Sequence, residues 1–279
     1  MKKAIFTLAI GDNPMYQAAL LSFQHYASKV GAELIVSEQL HYPIHIHKPR
    51  YNANPAWAEK LRIGELLKTY DRVLYVDSDI LIHPDADNIF SEYPELDTVF
   101  WFNEGQVIAR DSEVKLIEDC FGKVSWGEVQ EKPTYYNAGV ILASSSSSPF
   151  LKANLEDLNL LCNNIKFYEQ TYFNYLLHKH QLKHQSLDKR FNRMDMFGKT
   201  DYLKSDFIHY AGKGYAKNNR RRDVQFLRDF ALLYSSIVEA GKIAELKARV
   251  WQQYLDKIYR KYPLPKPLLR ALCHLYVPR

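Results

Sequence analysis

The sequence predicts an α/β fold, a sheet flanked by helices, with a C-terminal helical extension. Three observations carry this. The chain opens strand, helix, strand, as a parallel sheet requires. The run "VLYVDSDILI" reads as a buried strand interrupted by two carboxylates, Asp77 and Asp79. After "NNRRRD" (218–223) the apolar spacing turns helical.

The elements follow in order. Lys3 to Ile10 is the first strand, and Asn13-Pro14 gives an N-cap with a first-turn proline. Tyr16, Ala19, Leu20, Phe23, Ala27 and Val30 recur at helical spacing, and Gly31 closes that helix. Residues 32–37 form a second strand. Residues 40–53 form a loop whose His41, His45, His47, Lys48 and Arg50 read as solvated or ligand-facing. Asn54-Pro55 starts a helix through Tyr70, and a strand over 73–76 leads to the aspartates. Further strands are expected over 97–103 and 134–143. Ser148-Pro149 caps a helix through 162, another spans 169–180, and a strand over 205–214 runs into a glycine loop. Phe226, Phe230, Leu233 and Ile237 space as one late helix, and Ala244 to Tyr259 as another.

The totals bound the function. A chain of 279 residues, 47% hydrophobic and 25% charged, builds one sizeable core and is not broadly disordered. The 20 tyrosines suit sugar and nucleotide faces as well as cores. Net charge +5 favours an anionic ligand or surface without selecting one. Cys120, Cys162 and Cys273 form neither a disulfide framework nor a metal pair, so a reducing, cytoplasmic setting is expected. The basic N-terminus lacks the apolar length and small-residue site of a secretory signal, and no stretch is apolar enough to span a bilayer.

Carboxylates at i and i+2 on an extended segment face one side, with Ser78 facing the other. Buried bare, they would be strongly unfavourable; a hard divalent cation resolves this, whereas the alternative is a pair of solvated aspartates. Outside the carboxyl end of a strand is also where open α/β sheets bind ligands. On the helix after Pro55, Lys60 falls within the apolar arc of Ala56, Trp57, Leu61, Ile63, Gly64 and Leu67, while Glu59, Arg62, Glu65 and Thr69 face away. An inward lysine needs an acid or a phosphate. His209 ends a strand before Gly212-Lys213-Gly214, with Lys217 beyond, a pattern suited to a metal shell and a phosphate but lacking P-loop spacing.

"VLYVDSDILI", "YYNAGVIL", "EQTYFN" and "HYAGKGYAK" occur in that order. Together they resemble family 8 of the retaining glycosyltransferases, the glycogenin-like and lipopolysaccharide-galactosyltransferase-like enzymes of GT-A fold, over roughly residues 3 to 217. The resemblance implies a GT-A catalytic domain over 1–217 and a C-terminal helical extension over 218–279. It implies a UDP-sugar donor, Mn²⁺ or Mg²⁺, and a glycan, glycolipid or protein acceptor. Asp77, Asp79 and His209 would hold the metal. Lys60, Gly212, Lys213, Lys217 and Tyr16 would hold the donor. Asn137, Glu169 and Gln170 would line the reacting face. Two positions depart from the family: Glu169 stands where an aspartate is usual, and the lysine spacing of the H-x-x-G-x-x-K pattern is changed. The opening from Asn54 to Lys60 also resembles another retaining galactosyl- and mannosyltransferase group.

A haloacid-dehalogenase phosphatase would want Thr or Val where this chain has Leu81. A non-catalytic sugar-nucleotide-binding module is the alternative to an enzyme, and the substituted Glu169 leaves it open. "NNRRR" has no stacking surface beside it for nucleic acid. In the tail, Arg260, Lys261, Lys266, Arg270 and Arg279 interleave with Leu264, Leu268, Leu269, Leu272, Leu275 and Tyr276. Such a segment suits peripheral docking on an anionic membrane, or packing as a terminal helix.

Overall fold

The computed structural model describes residues 1–47, 53–129, 131–146, 148–216 and 219–276, with backbone alone for 219–221 and 274–276. Lys48, Arg50, Lys217 and Arg279 lie outside the described residues.

From the N-terminus, β1 (Lys3–Leu8) leads to α1 (Pro14–Val30), where Asn13 Oδ1 accepts from the Met15 amide at 2.9 Å. Gly31 ends α1 at φ 64°, a conformation glycine adopts without strain, and β2 (Glu33–Ser37) follows. A 3₁₀ segment over Pro55–Leu61 runs into α2 (Arg62–Leu66). Then come β3 (Arg72–Val76), β4 (Ile80–Ile82), α3 (Ile89–Glu92), β5 (Val99–Asn103) and α4 (Asp111–Phe121). The short β6 (Glu128–Val129) and β7 (Lys132–Pro133) precede the long β8 (Tyr136–Ser144). After α5 (Leu155–Leu161), α6 (Tyr168–Lys179), β9 (His184–Ser186) and β10 (Phe207–His209), the chain ends in α7 (Asn219–Tyr234), α8 (Ala240–Lys261) and α9 (Lys266–Tyr276).

The chain forms two compact units. Unit 1 comprises residues 1–10, 27–77 and 87–192; unit 2 comprises 11–26, 78–86 and 193–279. The last three helices belong to unit 2.

Unit 1 holds a mixed sheet of order β2-β1-β3-β8-β5-β9. β1 pairs parallel with β2 and β3; β8 runs antiparallel to both β3 and β5. The carboxyl ends of β3 and β5 therefore lie at one edge, beside the start of β8. Val73, Trp101 and Ile141 are fully buried, as central strands between helices should be. α6 packs Tyr172, Phe173 and Leu177 into the same core.

In unit 2, β4 pairs antiparallel with β10, Ile80 opposite His209. Tyr234 of α7 donates to the Ile82 carbonyl at 2.8 Å. Leu269 and Cys273 of α9 pack against Tyr254 and Leu255 of α8.

Several expectations change. The run around the aspartates is two strands joined by a turn at 77–79, because β3 continues the large sheet whereas β4 pairs elsewhere. The helix from Pro55 begins as 3₁₀, with Trp57 N bonding Asn54 O at 3.1 Å. Glu59 is buried rather than outward, because the histidine loop covers it: the His41 and Tyr42 amides and the His41 ring all meet its carboxylate. The helix expected over 150–162 is broken. Ser148 caps only a 3₁₀ turn over Pro149–Leu151, and Asn154 caps α5 afresh. The late strand keeps only Phe207–His209, the length that β4 can pair. α7 stops at Tyr234, which leaves Ile237 exposed.

Candidate active site

In unit 1 the edge formed by β3, β5 and the start of β8 gathers five of the predicted residues: Lys60, Asp77, Asn137, Glu169 and Gln170. The Asp77 amide donates to Gly139 O at 2.8 Å and carries the β3–β8 ladder one residue past the strand. Tyr75 donates its hydroxyl to Asp77 Oδ1. Lys60 Nζ lies 3.4 Å from the same oxygen, and donates to Glu169 Oε1 and the Ala138 carbonyl, each at 3.1 Å. Lys60 is only 2% exposed, so the inward position is real and its partners are acids. Burial opposes the ammonium charge, but the Asp77 and Glu169 carboxylates outweigh it and hold Lys60 above its ordinary range. Burial pushes the Glu169 carboxyl up despite Lys60, and its buried Oε2 has no hydrogen bond among the described residues.

Gln170, on the first turn of α6, is fixed at both ends. Its Oε1 accepts from the Ala138 amide at 2.9 Å, and its Nε2 donates to Glu104 Oε1 at 2.9 Å. Asn137 Nδ2 donates to Glu104 Oε2 at 3.0 Å; Asn137 Oδ1 accepts from Gly139 N and from Asn192 Nδ2. Glu104 is the hub that the sequence reading missed. It is 1% exposed and paired with Arg110 Nη2 at 2.7 Å. Asn103 Oδ1, accepting from Gly105 N, turns the chain just after β5 and aims Glu104 inward. Its signal was there: an acid at the carboxyl end of a strand, where open sheets bind ligands.

In unit 2 the β4–β10 pairing sets the second group. Tyr210 N bonds Asp79 O at 2.9 Å, and His209 Nε2 lies 3.3 Å from Asp79 Oδ1. Arg222 of α7, unpredicted, reaches Asp79 Oδ2 at 3.2 Å and interacts electrostatically with Tyr16. Burial opposes the guanidinium charge, while Asp79 and Asp223 hold it above its usual range. Gly212 and Gly214 take φ 60° and 54° in the loop after β10, and Lys213 is exposed there. Lys60, Asp77, Asn137, Glu169 and Gln170 thus belong to unit 1, and Tyr16, Asp79, His209, Gly212 and Lys213 to unit 2. Among the described residues, no helix is long and apolar enough to cross a membrane.

Comparison with known structures places the fold. A bifunctional glycosyltransferase, WbbM, in its apo form shares 13% identity over 90% of this chain at a TM-score of 0.51; the chain spans 51% of it. An active-site mutant of LgtC shares 14%, with 85% of this chain and 98% of that one covered and a TM-score of 0.50. The galactosyltransferase LgtC, crystallised with donor and acceptor sugar analogs, shares 14% over 86% of this chain and 99% of its own, at 0.49. At such identities the first two speak for the fold alone, which is GT-A-like. A search of curated proteins found no match. The family model for glycosyl transferase family 8 matches residues 23–217, well over half the chain and all four quoted motifs. The chain belongs to that family and is a glycosyltransferase.

Proposed function

We propose that the protein moves a hexose from a UDP-sugar to a glycan, glycolipid or protein acceptor, with retention, using a divalent cation held by Asp77, Asp79 and His209. The observation that carries this is the β4–β10 register, which brings the Asp79 carboxylate to the His209 imidazole two residues after Asp77. Two carboxylates and an imidazole offer oxygen and nitrogen donors that suit Mn²⁺ or Mg²⁺. When bound, such an ion neutralises charge developing on the departing diphosphate.

The chain's own residues do the rest. Lys60 orients Asp77 and Glu169 from below and keeps both carboxylates compensated. Gln170 is held between Ala138 and Glu104, a fixed position from which its amide would face the donor sugar and steady positive charge developing there. No free base is required, because the leaving phosphate can take the acceptor's proton. The exposed Leu264, Leu268 and Leu272, beside Lys266 and Arg270, suit peripheral contact with an anionic membrane carrying a lipid-linked acceptor. That arrangement agrees with the cytoplasmic setting expected from the free cysteines.

The test is Mn²⁺-dependent release of UDP across a panel of UDP-sugars. Asp79→Ala should lower turnover by roughly 100-fold or more with the melting transition retained. A folded Asp79→Ala chain that turns over at the wild-type rate rejects the metal assignment, and a wild-type chain that binds donor without turnover favours a binding module.

A further inference from the structure

In the H-x-x-G-x-x-K pattern that begins at His209 and passes Gly212, the lysine position falls on Tyr215. Tyr215 cannot serve as a phosphate-binding cation. It is 1% exposed, its ring stacks on Tyr202 at 4.0 Å, and its hydroxyl donates to the Arg193 carbonyl. Lys213 is exposed and forms no ion pair among the described residues.

A different cation reaches this place. Arg222 stands in the first turn of α7, with its stem against Gly214: a Cβ added there would lie 3.1 Å from Arg222 Cγ. Its Nη1 meets Asp79 Oδ2 at 3.2 Å and its Nε meets Asp223 Oδ1 at 3.1 Å. Asp223 is held in turn by Lys257 Nζ at 3.4 Å. Two of the guanidinium's nitrogens are thus engaged, and Nη2 makes no hydrogen bond among the described residues. Its side chain is 23% exposed, enough for a ligand to reach it.

We infer that Arg222 replaces the displaced lysine as the cation that holds the donor's β-phosphate. The inference rests on the donor reading above. A guanidinium fixed on Asp79 and Asp223 points its remaining N–H groups without ordering a long flexible stem, and its planar fork suits two phosphate oxygens. Gly214 then serves twice: it takes φ 54°, and it leaves room for the arginine stem.

The experiment is calorimetric titration of the full chain with UDP and with UMP in Mn²⁺, and with Mn²⁺ alone. Arg222→Ala should weaken UDP by roughly 10- to 100-fold, as loss of a charged hydrogen bond does, and UMP by less than about 3-fold. Arg222→Lys should fall between. Binding of Mn²⁺ alone should be unchanged or tighter, because a positive charge leaves Asp79. The inference is overturned by equal loss for UDP and UMP, by a UDP loss that merely follows a loss of Mn²⁺, or by a loss that resides in Lys213→Ala instead. If wild-type chain binds UMP, UDP and Mn²⁺ not at all, the donor reading fails and takes the inference with it. Wild-type binding with an unaffected Arg222→Ala sinks the inference alone.

Discussion

Asp77 and Asp79 are separated by one residue yet keep different company. Asp77 belongs to unit 1, where Lys60, Glu169, Gln170 and Glu104 are all at most 7% exposed and tied to one another or to backbone. Asp79 belongs to unit 2, where His209 is buried but Arg222 comes from a more open helix start beside a glycine loop. One carboxylate sits beside buried side chains bonded in pairs and to the Ala138 backbone. The other faces the Arg222 guanidinium and the His209 imidazole. The contrast teaches that two carboxylates of one short motif can be given different surroundings, one enclosed by buried polar side chains and one beside a partly exposed arginine.

The sharpest way to break this comparison is Lys60→Met. It leaves Glu169 buried without its cation, and we expect a loss of about 3–5 kcal/mol in urea unfolding. Glu169→Gln in the same chain should recover part of it. A loss below about 1 kcal/mol would mean that the unit 1 network is not interdependent.

Acid comes next. Burial lowers His178, 7% exposed, to about 4, from an ordinary 6.5. Its Nε2 lies 3.0 Å from the Thr134 carbonyl, an N–H donor to that acceptor. The unfolded chain takes a proton below pH 6.5 while the folded one resists it until about pH 4. The stability this histidine contributes is therefore intact above 6.5 and falls by about 1.4 kcal/mol per pH unit down to about 4, or about 3 kcal/mol in all. Urea melts of wild type and His178→Gln across that window should converge as pH falls; parallel curves would remove His178 from the account.

The smallest effect on stability belongs to unit 2. Leu268 and Leu272 are 50% and 38% exposed on α9, on the flank beside the buried Leu269 and Cys273. Leu268→Glu with Leu272→Glu should shift stability by about 0.5 kcal/mol or less, while co-sedimentation with anionic vesicles should drop. Unchanged co-sedimentation would assign this face to solvent.

What the sequence made legible were residues whose chemistry is unusual for their surroundings. Two acids inside an apolar run, a lysine on an apolar arc, and a histidine before a glycine loop each demand a partner. Lys60 shows how far this goes: its inward position was readable, though the 3₁₀ turn that delivers it was not. Glu59 shows the limit, because the helical wheel has no knowledge of the loop that later covers it. Arg222 was hidden for a different reason. One of three consecutive arginines reads as a solvated charge run, and only tertiary contact with Asp79 and Gly214 singles it out. Glu104 looked like a turn residue until Gln170, 66 positions later, was seen to hold it.

The division into units has a consequence for inheritance and for engineering. The backbone crosses between them five times, at 10/11, 26/27, 77/78, 86/87 and 192/193. One crossing falls inside the aspartate motif itself. Neither unit is a contiguous cassette, so neither can be exchanged, duplicated or trimmed by a single genetic join. A cut after residue 192 would strand 11–26 and 78–86 with the wrong partner. Any exchange that keeps each unit whole would need joins at all five crossings.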